Sequence, residues 1–179
     1  MDADSKLVIS RLIGERDAEY ATAFINDLAA RLATRVQLGT DGLKVYLKAV
    51  EGACWADIDY AVLVKLFGEA PEQQKRYSPP QCTGCQKRRI EGSPDPRHVS
   101  TSFVERHNLT MRMSMRRFTR LTNAFSKKVE NLEAAVALHF MWYNFGRVHQ
   151  TLRVTPAMEA GIADHVWSVE EIVVLLDSN

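Results

Sequence analysis

At 179 residues, 46% of them hydrophobic and 25% charged, the chain has ordinary globular composition and room for one domain with its own core. No apolar run approaches the roughly 20 residues of a membrane span. The acidic opening MDADSKLVIS does not read as a signal peptide, and an odd count of three cysteines fits a reducing cytosol better than a disulfide framework. The net charge of +1 conceals an uneven distribution: residues 1–86 carry 10 Lys/Arg against 12 Asp/Glu, residues 87–128 carry 11 against 3, and residues 129–179 carry 2 against 7. The basic central segment is a candidate phosphate-contacting surface; the plainer alternative is a solvated helix face with unrelated salt bridges.

In chain order, KLVISRL (6–12) is short and β-prone before Gly14, which predicts a strand. From Asp17 to Ala33, Ala21, Phe24, Ile25, Leu28 and Leu32 recur at helical spacing and predict an amphipathic helix. Val36 and Leu38 alternate before a Thr-Asp-Gly break, a strand ending at Asp41. Gly42 to Val50 reads as a helix and Tyr60 to Phe67 as a buried strand. Residues 68–99 hold Pro71, Pro79, Pro80, Pro94 and Pro96 and predict an irregular excursion. Helix resumes from Thr101 to about Arg117, then from Asn131 to Asn144 with Leu132, Val136, Phe140 and Tyr143 on one face. Thr155-Pro156 has the chemistry of a helix start, and a last helical turn or two follows Ser168. This order suggests an α/β layer architecture with a mixed sheet.

Three carboxylates stand at element boundaries: Asp2 before the first predicted strand, Asp41 at a strand end, and Glu105 on a helix. Carboxylates from separate elements can hold a pair of Mg²⁺ ions roughly 3.5–4 Å apart for phosphoryl transfer, although many other trios exist among 22 acidic residues. The helix carrying Glu105 also carries Asn108, Arg112 and Arg116 at face-sharing spacing, an arrangement suited to a phosphodiester backbone. Alternatively Met111, Met115 and Phe118 define its buried face and the basic residues are only exposed.

The segments TDGLKVYL, STSFVERHNLTMRMSMRRFTRLTNAFSKK and YNFGRVHQTLRVTPAM resemble bacterial insertion-sequence transposases of the DDE class, from Asp2 to about Ile172. The resemblance implies a ribonuclease-H-like mixed sheet flanked by helices, in a single catalytic domain over residues 1–179. It implies Asp2, Asp41 and Glu105 as catalytic acids binding two Mg²⁺ or Mn²⁺ ions, cleaving DNA strands and joining 3′-hydroxyls at element ends. It further implies double-stranded DNA as partner and a homo-oligomer on that DNA, in the cytoplasm at the nucleoid and away from membranes. Leu43 stands where relatives commonly have His. The family's first, central strand and its N-terminal DNA-binding region are expected upstream of Asp2, so a truncated core with impaired activity is expected here. The alternatives are an inactive remnant that at most binds DNA, and a structure-specific nuclease that does not join strands.

Arg88, Arg89, Asn108, Arg112, Arg116, Arg117, Arg120, Lys127 and Lys128 are the candidates for backbone contacts. Cys82 and Cys85 form CTGC, read as two ordinary thiols in a loop, since a zinc site needs two more ligands and Cys54 and His98 lie at no recognised spacing. His98, His107, His139, His149 and His165 form no paired motif; for His107 and His149 two readings stand open, contact with phosphate or orientation of an acid on the one hand and local packing on the other. Trp55, Trp142 and Trp167 are read as packing residues.

Overall fold

The computed structural model describes residues 1–53, 58–68, 82–119 and 122–177, and the side chains among them up to Leu175. Cys54, Trp55, Pro71, Pro79, Pro80 and Arg120 lie outside the described residues. The chain forms two compact units, residues 14–102 and residues 1–13 with 103–179.

The first unit (14–102) contains α1 (Ala18–Ala30), β1 (Val36–Asp41), α2 (Lys44–Gly52), β2 (Ile58–Phe67) and β3 (Cys82–Glu91). Helix α1 starts where Asp17 Oδ1 accepts from the Tyr20 backbone N–H at 2.9 Å, satisfying one orphan donor of the first turn. Strands β1 and β2 run parallel, β3 joins β2 antiparallel, and the order is β1-β2-β3. This is a mixed sheet, as the alternation of predicted strands and helices implied.

Strand β2 is buried on both faces. Ile58, Tyr60 and Val62 pack against Ala21 and Ile25 of α1 and Ala49 and Val50 of α2, while Ala61 and Leu63 pack on the opposite face against Val99. A two-faced burial explains why IDYAVLVKLF reads as a nearly continuous apolar run. The segment after β3 returns across the sheet through polar bonds. Gln37 of β1 turns its side-chain amide to Asp95, donating to its carbonyl at 3.1 Å and accepting from its N–H at 2.8 Å. Asp59 takes a two-pronged bond from Arg35 (3.1 and 2.8 Å) and a third from Ser93 N (2.6 Å). These donors hold its carboxyl at about 2, well below the usual range, with the Arg35 bond the largest cause. Gly92, at φ +65°, fits beneath this latch because a Cβ there would lie 2.7 Å from the Ile58 carbonyl oxygen and collide with the Asp59 carboxylate.

The second unit holds α3 (Ser102–Ser114, from Phe103 onward), a 3₁₀ turn (Arg116–Phe118), α4 (Val129–Met141) running into a π-helical turn (Trp142–Gly146), α5 (Pro156–Glu159) and α6 (Val169–Asp177). Val136 and Tyr143 are buried and Leu132 and Phe140 half-buried, which matches the expected apolar face. Thr155 Oγ1 accepts from Met158 N at 3.2 Å and Pro156 follows it, so the Thr-Pro start behaves as its chemistry predicts.

Three elements differ from the sequence reading. KLVISRL is not a strand: residues 6–12 pair with no strand, and Val8 instead exchanges two 3.0 Å bonds with the side-chain amide of buried Asn144. Residues 68–99 are not wholly irregular, since 82–91 form an edge strand. The helix expected to reach Arg117 stops at Ser114, because Met115 is extended at φ −114° and ψ 108°.

Ile58, 1% exposed, stands at the centre of the larger core cluster. Ile58→Ala is expected to lower the unfolding free energy by about 2–5 kcal/mol, read from urea unfolding curves; a loss near zero would mean that this cluster is not a packed core.

Candidate functional site

The three candidate acids are placed as follows. Asp41 is the last residue of β1, at the carboxyl end of a parallel β1–α2–β2 unit, the end at which open α/β sheets present ligand sites. Its Oδ1 accepts from Leu43 N at 3.1 Å and its Oδ2 lies 3.8 Å from Arg16 Nη2, with the side chain about half exposed. Leu43 offers no side-chain cap to α2, so the Asp41 carboxylate supports that turn. Asp2 belongs to the other unit, in a turn where its Oδ2 accepts from the backbone N–H of Ser5 at 2.8 Å and from the Ser5 hydroxyl. Partial burial pushes the Asp2 carboxyl up, but the Ser5 bonds and the backbone donors of Asp4 and Ala3 outweigh it and hold it below the usual value. Glu105 is exposed in the first turn of α3, where a carboxylate is favoured by the helix dipole.

Oxygen donors of this type suit Mg²⁺ and Mn²⁺. Among the described residues, no group of three or more His, Cys, Asp or Glu side chains is placed to hold a metal ion.

Beside Asp41, a groove of about 450 Å³ is floored by Leu43, Leu47, Val62, Val64 and Ile90 and carries the cations Lys44, Lys48 and Arg88. Only Arg88 was expected from the sequence. Lys44 and Lys48 were legible as an i, i+4 pair on α2, but no charge run marked them, and their meeting with Arg88 depends on the β2–β3 register. Arg89 follows Arg88 on β3 and so faces the other side of the sheet.

In the other unit, Asn108 and Arg112 are exposed four residues apart on α3. Arg116 does not continue their stripe, because it lies in the 3₁₀ turn beyond extended Met115. Arg117 donates to the Ser126 hydroxyl, tying that turn to the segment holding exposed Lys127 and Lys128 just before α4.

His107 turns inward. It is 7% exposed, stacked on Phe140 (ring centroids 5.3 Å apart), edge-on to Tyr143 (4.4 Å) and 6.2 Å from buried His139. Neither ring nitrogen of His107, nor Nε2 of His139, has a hydrogen-bond partner. Burial, then neighbouring His139 and Arg147, push His107 down to about 4, and burial likewise lowers His139. Packing is therefore the role of His107. His149 Nδ1 shares a 3.0 Å hydrogen bond with Thr151, and Trp167 packs on Phe145 with ring centroids 4.7 Å apart. Among the described residues, no helix is long and apolar enough to cross a membrane.

No protein-family model, no curated protein and no solved structure matches the chain.

The buried histidines set an acid limit. Above the unfolded-state value of 6.5 both states are neutral at these rings. As pH falls from 6.5 toward about 4, the unfolded chain binds protons that the folded chain refuses, so stability declines, and the decline from His107 ends below about 4. His107→Leu is expected to flatten much of this slope in urea unfolding measured across that pH range. An unchanged slope would show that His107 is not held neutral.

Proposed function

We propose that this chain is the catalytic core of a DDE-type insertion-sequence transposase on a ribonuclease-H-like fold, acting in DNA strand cleavage and strand transfer at element ends with Mg²⁺ or Mn²⁺. The observation that carries the reading is Asp41 at the carboxyl end of β1, next to a groove carrying Lys44, Lys48 and Arg88. A phosphodiester backbone offers that groove negative oxygens for three cations and a sugar edge for the apolar floor. The segments around Asp41 and Glu105 that resemble the transposases support the same reading. So does the exposed basic set formed by Arg112, Arg116, Arg117, Lys127 and Lys128, which neutralises phosphates without reading sequence.

A second reading, an inactive remnant that at most binds DNA, is favoured by Asp2. Its carboxylate is engaged by Ser5 in a local turn and stands at the end of no strand.

The two separate on one assay. The full chain is incubated with Mn²⁺ and end-labelled duplexes carrying the DNA that flanks its reading frame. Nicked and joined products are expected, reduced by ~100-fold or more in Glu105→Gln and in Asp41→Asn, the scale of removing a group that stabilises transition-state charge. Shifted duplex without any product supports the remnant, and products that survive both substitutions remove the catalytic assignment.

A further inference from the structure

Cys82 and Cys85 are three residues apart, and in a regular strand that odd spacing puts them on opposite faces. The β-bulge near the start of β3 reverses this. The register pairs Lys65 with Cys85, Leu66 with Gly84 and Phe67 with Cys82, so Thr83 is the extra residue. Opposed residues of an antiparallel pair share a face, and Lys65 and Phe67, two apart, share one face of β2. Cys82 and Cys85 therefore stand side by side on that face. Both thiols are free and exposed, and Phe67 opposite Cys82 is 60% exposed. The Cys82 thiol donates to the Gly84 carbonyl at 3.4 Å and so leans along the strand toward Cys85.

Magnitudes decide what this pair can do. The two cysteines stand opposite Lys65 and Phe67, positions two apart on regular β2 and so separated by about 6.8 Å. A disulfide needs Cβ atoms at roughly 3.5–4.5 Å, closer than side chains rising in parallel from such positions. An ion held between two thiolates spans a wider gap, because each metal–sulfur bond adds about 2.3 Å. Donor number then selects the ion. Zn²⁺ seeks a tetrahedral set of four ligands, whereas a soft monovalent ion such as Cu(I) is satisfied by the two sulfurs that this pair supplies.

We propose that Cys82 and Cys85 form a surface site for one soft, thiophilic metal ion of the Cu(I) type. Each thiol gives up its proton to solvent on binding, two Cu–S bonds form, and no electron is transferred. The resulting complex carries one negative charge, on a face of the sheet that also bears Lys65 and Lys87, the latter donating to the Pro96 carbonyl.

The reduced full chain is titrated anaerobically with Cu(I) buffered by bathocuproine disulfonate. One ion per chain is expected, with near-ultraviolet sulfur-to-copper absorption. Cys82→Ser and Cys85→Ser are each expected to weaken binding ~100-fold or more, since each removes one of two soft ligands, and Cys54→Ser to leave it unchanged. Wild-type affinity in either of the first two variants, one ion per two chains, or loss of binding in Cys54→Ser would overturn the site. In the unsubstituted chain, bound Cu(I) is expected to shield Cys82 and Cys85 together from iodoacetamide, read by peptide mass; protection of one thiol alone, or of neither, overturns it as well.

Discussion

Strand β2 is the constraint on which residues 14–102 depend. It is the one strand paired along both edges among the described residues, and it contributes Ile58, Tyr60, Ala61, Val62 and Leu63 to two cores at once. Its parallel pairing with β1 places the Asp41 turn at the carboxyl end of both strands and requires a crossover, which α2 supplies. Its antiparallel pairing with β3 carries Arg88 to the groove side and Arg89 to the other. The same pairing, through the bulge at Thr83, aligns the two thiols. One strand thus sets the geometry of both candidate sites in this unit.

Polar side chains take over where regular pairing ends. Asn144 and Gln37 each present an amide that matches a backbone N–H and C=O together, serving Val8 and Asp95 as one rung of a ladder would. Asp59 closes the far end of β3 through Arg35 and Ser93. In the other unit the opposite choice was made. His107 and His139 are buried with nitrogens unpaired, a cost tolerated because the rings stay neutral and pack against Phe140 and Tyr143.

The legible elements share one property: their burial follows a simple period. Ala21, Ile25 and Leu28 of α1, Val136 and Tyr143 of α4 and its continuation, and the apolar run of β2 each expose a pattern that one residue spacing captures. Strand β3 had none, because CTGCQKRRIE is exposed along almost its whole length and is held by backbone bonds to β2. KLVISRL erred the other way: β-prone residues make a strand only if a neighbouring edge accepts them, and here the acceptor is one asparagine side chain. Of the candidate site, Asp41 and its turn were legible from the Thr-Asp-Gly break. The roles of Lys44 and Lys48 were not, since nothing local distinguishes a groove lysine from a solvated one.

The sequence by itself determined the α/β alternation, the helix starts at Asp17 and Thr155, the Asp41 turn and the concentration of positive charge in residues 87–128, because each follows from local chemistry or a count along the chain. Only the tertiary structure decided that His107 faces a core, that Arg116 leaves the stripe of Asn108 and Arg112, and that Cys82 and Cys85 share a face. Those outcomes depend on which distant strand or ring a residue meets and on the single-residue register of that meeting, and a one-residue shift reverses every side chain in a strand.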